Sequence, residues 1–300
     1  MTQCASMTSS TAYDADWLDR EYNNRARVPD HATHFERWSR ESTQARQDGR
    51  ALLDVSYGMG AGETLDLFPA ARSPGTALAP VLVFIHGGWW RSLDKSDHSF
   101  IAPPFVQAGV CVVVPNYALC PAVTIPKITL QMVKALAWVH RHIAAHGGDP
   151  ARITVAGHSA GGHLAAMMLA CEWQKVGEDL PASLVKNAMS VSGLHDLEPV
   201  MHTPFVRDSL RLTPAQVKKA SPARLPAPAL REGRGQLYAL AGAEESGEFL
   251  RQNRLIQKAW GKQVVPVCEA LAGLNHFSIV EALAQPGHRL HLLARELLQA

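Results

Sequence analysis

One pentapeptide, Gly-His-Ser-Ala-Gly at residues 157–161, lies between a short apolar run and a helix-forming segment. The run at 152–156 is typical of a buried strand, and 162–169 is typical of a helix. A sharp turn from strand to helix forces its central residue into a strained backbone conformation, and the flanking glycines leave room for the neighbouring backbone. The hydroxyl of Ser159 then stands at a helix N-terminus, which favours negative charge. The pattern indicates a nucleophilic serine.

Apolar runs alternate with helical patterns along most of the chain. An antiparallel hairpin is expected at the sheet edge from two alternating segments at 52–57 and 63–69. Further strands are predicted at 81–85, 110–114, 152–156, 184–190, 236–241 and 263–268, with helices at 124–146 and 246–260. Strands that alternate with helices indicate an α/β fold with a mainly parallel central sheet and helices on both faces.

The domain organisation follows from the same patterns. Residues 1–12 are rich in Ser and Thr and are expected to be disordered. Residues 13–50 show helical patterns without a strand, so they form an N-terminal extension. It is either a lid element over the site or a helical pair on the back of the domain. Residues 51–300 form the main domain, with a proline-rich insertion at about 196–226 that is expected to cover the site.

A serine nucleophile needs a base, and the base needs an orienting carboxylate. In folds with this strand-to-helix turn, the chain order is serine, then acid, then histidine. The sequence holds 14 histidines, so position must identify the base. His276 lies in a loop after the last predicted strand, from which it can reach a serine on a central strand. It is the predicted base.

The carboxylate is expected in the loop that follows the strand at 236–241. That loop contains no aspartate, and Glu244, Glu245 and Glu248 compete for the role. Helix phasing does not choose between the first two. Asp196 also follows a strand, but it lies one strand too early for the usual order.

Acyl transfer also needs amide N–H groups aimed at the developing oxyanion. The sequence His-Gly-Gly-Trp-Trp at 86–90 follows a buried strand, which is where such a loop belongs. The expected donors are the amides of Gly88 and Trp89, together with that of Ala160 after the nucleophile. His86 is expected to hold the loop by hydrogen bonds rather than to transfer protons.

Composition narrows the remaining classes of function. A net charge of +2 with scattered Lys and Arg gives no case for a nucleic-acid partner. The five cysteines, without a Cys-x-x-Cys pair, and the absence of a signal sequence favour a cytoplasmic protein. No apolar run approaches the roughly 20 residues of a membrane span. Asp94, Asp97 and His98 are a poor metal-ligand set, so we expect neither metal nor cofactor.

From about residue 22 onward, the chain resembles the α/β-hydrolase type of arylformamidase, or kynurenine formamidase, a family close to the hormone-sensitive-lipase-like esterases. Four motifs carry the resemblance: the sequences at 86–90, 157–163, 245–252 and 275–277. The family has His-Gly-Gly-x-Trp at the first motif and an Asp before Ser-Pro-Glu-Phe at the third. The resemblance therefore implies Glu245 as the acid, with Glu in place of Asp.

The resemblance implies a Ser-His-Glu hydrolase that converts N-formyl-L-kynurenine to L-kynurenine and formate. An aromatic leaving group suits a pocket that contains Trp90, Phe205, Tyr22 or Trp38. One rival is a carboxylesterase for short acyl groups, since the same groups cleave both substrates. A non-catalytic ligand receptor is disfavoured because each member of the constellation is present. The partner is a small molecule, and the sequence leaves a homodimer open.

Overall fold

The computed structural model describes residues 13–47, 49–60, 62–71, 77–229 and 235–299. The segment 1–12, for which the sequence predicts disorder, lies outside the described residues. The strands are β1 Leu52–Ser56, β2 Thr64–Phe68, β3 Ala79–Ile85, β4 Cys111–Pro115, β5 Gly148–His158, β6 Val185–Val191, β7 Leu237–Gly242 and β8 Cys268–Leu271. The α-helices are α1 Ala15–Tyr22, α2 Asn24–Arg27, α3 His31–Arg46, α4 Ala102–Gln107, α5 Ile125–His142, α6 Ala160–Ala170, α7 Glu198–His202, α8 Pro204–Leu210, α9 Pro214–Ala220, α10 Gly247–Val264, α11 Ser278–Leu283 and α12 Arg289–Gln299.

The strands form one sheet in the order β1-β2-β4-β3-β5-β6-β7-β8. Strand β2 runs antiparallel to both β1 and β4, whereas each neighbouring pair from β4 to β8 is parallel. The predicted edge hairpin and the mainly parallel α/β sheet are therefore confirmed.

Strand β3 lies in the middle of this sheet and is buried on both faces. Leu82 and Phe84 contribute to the hydrophobic core on one face, and Val83 and Ile85 contribute to the core on the other. None of these side chains is exposed. A strand covered on both sides must be apolar at every position, which is why its sequence is a continuous apolar run.

The last strand differs from the prediction. The sequence pattern places a strand at 263–268, but α10 continues to Val264 and β8 begins only at Cys268. A left-handed residue, Gly261 with φ 80°, kinks the end of α10. Val264 and Val265 then pack into the core from the end of the helix. Buried valines at a helix end produce the same apolar pattern as a short strand.

The parallel strands bring their carboxyl ends to one edge of the sheet, where ligands bind in open α/β folds. The loops that follow β3, β5, β6, β7 and β8 carry His86, Ser159, Ser192, Glu245 and His276 in that order. Within the described residues, no α-helix combines the length and apolar character that a bilayer crossing requires.

The N-terminal helices α1–α3 pack against elements that belong to this edge. The carboxylate of Glu281 on α11 accepts hydrogen bonds from Arg37 and Trp38 of α3, and it also contacts His34 of the same helix. On α1, the hydroxyl of Tyr22 donates to Glu248 of α10 at 2.7 Å. The extension thus lies on the site side of the molecule rather than on its back. Movement of these helices as a lid stays a prediction.

Candidate active site

Ser159 occupies the turn between β5 and α6, with φ 56° and ψ −115°. Such a backbone is strained for a residue with a side chain, and strain of this kind clusters at functional sites. A Cβ atom on Gly157 would lie 2.2 Å from the carbonyl oxygen of Gly161, and one on Gly161 would lie 2.0 Å from that of Ile85. Both positions therefore require glycine, which explains the spacing of the pentapeptide.

His276 and Glu245 form a hydrogen-bonded pair beside this turn. The distance from Nδ1 of His276 to Oε2 of Glu245 is 2.7 Å. The other carboxylate oxygen, Oε1, accepts from the hydroxyl of Ser192 at 2.6 Å and from the amide of Gly242 at 2.7 Å. Because an ionised carboxylate only accepts, Nδ1 must carry a proton. In the neutral ring, Nε2 then keeps its lone pair and can act as a base.

Of the acid candidates, Glu245 is the one that contacts His276. Glu244 is exposed to solvent. Glu248 is bonded to the Tyr22 hydroxyl and to Arg251. Asp196 forms an ion pair with Arg224, Nη2 to Oδ1, at 3.0 Å. Glu245 and Glu248 are both buried, but only Glu245 is directed at His276.

Two residues that sequence reasoning overlooked support the histidine and its carboxylate. Ser192 has φ 52° and donates to Glu245 from the end of β6. His158 is buried, and its Nε2–H donates to the carbonyl oxygen of His276 at 2.8 Å. Burial, and then the neighbouring His276, hold the pKa of His158 well below its usual range, so this ring is neutral. His158 lies inside the recognised pentapeptide and could have been noticed, whereas nothing local identifies Ser192.

The loop after β3 packs directly against the Ser159 turn. A Cβ atom on Gly87 would lie 2.9 Å from the carbonyl oxygen of His158, so the backbones approach closely. Gly88 and Trp89 have positive φ angles, 99° and 54°. Within the described residues, the amides of Gly88, Trp89 and Ala160 donate to no other group. These N–H groups are therefore free to bind an oxyanion.

His86 holds this loop in place, as the sequence predicts. Its Nδ1 lies 2.8 Å from the carbonyl oxygen of Gly87, and its Nε2 lies 3.0 Å from Oδ1 of Asn116. The ring stacks on Tyr117 at 4.2 Å, and the Tyr117 hydroxyl donates to the carbonyls of His86 and Gly87. Burial lowers the pKa of His86.

A cavity of about 540 Å³ opens onto Ser159 and His276, and Gly88 and Trp89 line it as well. This volume is within the range of small-molecule sites, about 300–1,000 Å³. The aromatic part of its wall consists of Trp89, Phe35, Trp38, Phe205 and Phe277. Two of the predicted substrate contacts, Trp38 and Phe205, therefore face the cavity.

The other two aromatic residues predicted to contact substrate lie outside the cavity wall. Trp90 is completely buried and packs edge-on against His163 at 5.1 Å. Tyr22 is also buried, with its ring edge-on to Trp89 at 6.1 Å. Both side chains support the wall from behind. The prediction was wrong for them because the sequence does not distinguish an aromatic core residue from one at the surface of a pocket.

The polar cluster near Asp94 has a structural role. The Asp94 carboxylate accepts from the Ser96 amide at 2.9 Å, and Oδ2 of Asp97 accepts from the Asp94 amide at 3.0 Å. Together these bonds cap a short 3₁₀ helix at Lys95–Asp97. Across the described ranges, no three His, Cys, Asp or Glu side chains are grouped as metal ligands.

Comparison with known proteins is consistent with this geometry. Residues 82–237 match a family model described as the α/β-hydrolase fold. The kynurenine formamidase of Danio rerio is 31% identical over 250 residues, which are 82% of each chain. Esterase LipQ of Mycobacterium tuberculosis is 38% identical over 123 residues, covering 38% of this chain and 28% of that protein. A solved structure named as a "putative thioesterase" from Silicibacter sp. tm1040 superposes with a TM-score of 0.78 at 30% identity, covering 94% of this chain and 99% of its own.

Proposed function

The chain belongs to the α/β-hydrolase family, and we propose that it is a serine hydrolase that cleaves the formamide of N-formyl-L-kynurenine to L-kynurenine and formate. The observation that carries the proposal is His276, which is paired with Glu245 and lines the same cavity as the strained Ser159. The similarity to a kynurenine formamidase over most of both chains supports the choice of substrate.

In the first half-reaction, the hydroxyl oxygen of Ser159 attacks the formyl carbon while Nε2 of His276 takes its proton. The imidazolium that forms is stabilised by Glu245, whose position is maintained by Ser192 and Gly242. The tetrahedral oxyanion accepts hydrogen bonds from the free amides described above. Preorganised donors of this kind lower the barrier without reorganisation during the reaction.

Collapse of the tetrahedral intermediate breaks the bond between the formyl carbon and the aniline nitrogen. The proton on Nε2 of His276 passes to that nitrogen, because an anilide anion is a poor leaving group. L-Kynurenine departs, and the formyl group remains as an ester on Ser159. A water molecule then attacks this ester, with His276 again as the base. Formate leaves, and the Ser159 hydroxyl is restored.

The shape of the cavity suits a small acyl group and an aromatic leaving group. Trp89, whose amide is one of the proposed oxyanion donors, also has its ring edge-on to Phe205 at 5.4 Å. A formyl group is the smallest acyl group, so a bulky side chain here leaves enough space. The aniline ring can pack against Trp38 and Phe205 on the cavity wall.

The second candidate is a carboxylesterase for short acyl esters, which is favoured by the partial match to esterase LipQ. The same serine, base and amide donors cleave both substrate classes. A substrate panel separates them: kcat/KM for N-formyl-L-kynurenine is compared with that for p-nitrophenyl acetate. We expect the formamide to be the better substrate. A strong preference for the acetate would assign the protein to the esterases.

Ser159→Ala is the control for both arms of this panel. It is expected to abolish turnover of each substrate, since both reactions use the same hydroxyl. Full activity of the variant would mean that another group is the nucleophile. Absence of turnover in the unmodified protein with both substrates would favour a non-catalytic role.

A further inference from the structure

The cavity that contains Ser159 also has two arginines in its wall. Arg91 follows the loop of the proposed oxyanion donors, and Arg25 lies on α2 of the N-terminal extension. Neither guanidinium forms an ion pair with a carboxylate of the described residues. No Asp or Glu is among the described residues that line the cavity. The cavity is therefore positively charged on one side without an internal counter-charge.

This arrangement has an electrostatic cost that an anion would remove. Burial, and secondly the charge of Arg25, lower the pKa of Arg91, so the two cations are close enough to repel each other. A half-buried cation without a partner has lost part of its hydration. An anion that binds between two guanidinium groups would compensate for both effects.

Both arginines are held at the wall by neighbouring side chains. A guanidinium N–H of Arg91 donates to the hydroxyl of Ser209 at 3.2 Å, and the group lies 5.8 Å from the centre of the Phe205 ring. The guanidinium of Arg25 lies 5.2 Å from the centre of the Phe35 ring. Stacking on aromatic rings fixes the plane of a guanidinium and leaves N–H groups available.

A third donor lies in the same part of the wall. Asn24 lines the cavity and is 4% exposed, and the Nδ2 of its side chain has no hydrogen-bond partner among the described residues. Buried amide donors are nearly always satisfied in folded proteins. An acceptor on a bound ligand would satisfy this one.

We propose that Arg91, Arg25 and Asn24 form a carboxylate-binding subsite that selects substrates whose leaving group carries a negative charge. The inference rests on the proposed function, in which the α-carboxylate of N-formyl-L-kynurenine is part of the leaving group. Arg91 comes from the catalytic domain and Arg25 from the extension, so the subsite makes the extension a specificity element.

The test uses a pair of aryl acetates that differ only in charge: 3-(2-acetoxyphenyl)propanoate and the corresponding propanamide. The readout is the ratio of their kcat/KM values, acid over amide, because a merely structural change would lower both values together. In the unmodified protein we expect the acid to be favoured by about tenfold or more, as for hydrogen bonds to a charged group. A ratio near one would overturn the proposal.

Arg91→Gln is expected to lower this ratio by about tenfold. Arg25→Gln should lower it less, because Arg25 is the more exposed of the two residues. Arg91→Lys keeps the charge and should retain part of the preference. Arg27→Gln is the matched control, because Arg27 lies on α2 but outside the cavity wall. An unchanged ratio in both Gln variants would overturn the subsite.

The acetate pair also separates this inference from the proposed function. Preference for the acid, without turnover of N-formyl-L-kynurenine, would leave the subsite standing and reject the formamidase. Turnover of N-formyl-L-kynurenine, without preference for the acid, would support the formamidase and reject the subsite.

Discussion

The side chain of Glu245 is closed off from solvent, and its Oε2 lies 2.7 Å from Nδ1 of His276. This contact joins the loop after β7 to the loop after β8. It places the ring proton on Nδ1 and leaves Nε2 for the reaction. Each carboxylate oxygen has a partner, so Glu245 has little freedom to turn away.

Glu245→Gln should disable the reaction. The amide of glutamine can donate a hydrogen bond to Nδ1, which favours the wrong tautomer of His276 and removes the charge that stabilises the imidazolium. We expect kcat to fall about a thousandfold or more, as for the equivalent change in a Ser-His-Asp triad. Steady-state kinetics on the best substrate of the panel measures this. Glu244→Gln, at the exposed neighbouring position, is the control, and a similar loss in both variants would contradict the assignment of Glu245.

Ser192→Ala should lower kcat less than Glu245→Gln does. The change removes one of two hydrogen bonds to Oε1 of Glu245, while the amide of Gly242 remains. A fall in kcat of about ten- to a hundredfold is expected, equivalent to one hydrogen bond to a charged group. Ser192→Gly tests the backbone separately, because glycine relieves the strain at φ 52° but also lacks the hydroxyl. An equally lowered kcat in the two variants would show that loss of the hydroxyl, not the backbone, causes the fall. A wild-type kcat in Ser192→Ala would show that the hydroxyl does not contribute to the reaction.

Gly161→Ala should damage the Ser159 turn. The new methyl group would lie 2.0 Å from the carbonyl oxygen of Ile85, and the backbone there belongs to a buried strand that cannot easily move. Overpacking of this kind costs about 1–3 kcal/mol of unfolding free energy. Urea denaturation measures the loss. Gly49→Ala is the control, because a Cβ atom there would meet nothing within 4 Å; equal stability of the two variants would contradict the packing argument.

Stability should fall steeply as the pH drops below about 6.5, the ordinary pKa of histidine. Burial lowers the pKa of His98 and His195 to about 3 and that of His163 to about 4. The unfolded chain binds these protons at a higher pH than the folded chain does. Each such group therefore reduces the unfolding free energy by up to about 1.4 kcal/mol per pH unit between the two pKa values.

Urea denaturation between pH 4 and 7 measures this dependence. His163→Gln, which can still donate to the carbonyl oxygen of Ala220, should reduce the slope of stability against pH by up to about one proton. An unchanged slope in the variant would mean that His163 binds its proton at the same pH in the folded and unfolded chains, which would contradict its lowered pKa.

Short-range patterns were sufficient for most of the sheet, though not for its last strand, and for part of the site. The turn at Ser159 follows from residues within five positions of each other, because the glycines are needed where two backbones touch. The position of His276 follows from strand order alone, as does that of the loop with Gly88 and Trp89. These features depend on local geometry, so local sequence predicts them.

The choice of Glu245 over Glu244 depended on which way one loop faces, and the two residues are adjacent in the chain. Tyr22 and Trp90 lie behind the cavity wall, while Trp38 and Phe205 face it, although all four are large aromatic residues. Arg25 and Arg91 are separated in the sequence and meet only through the packing of α2 at the carboxyl edge of the sheet. Side-chain direction and the proximity of distant segments result from packing of the whole core, which no local pattern encodes.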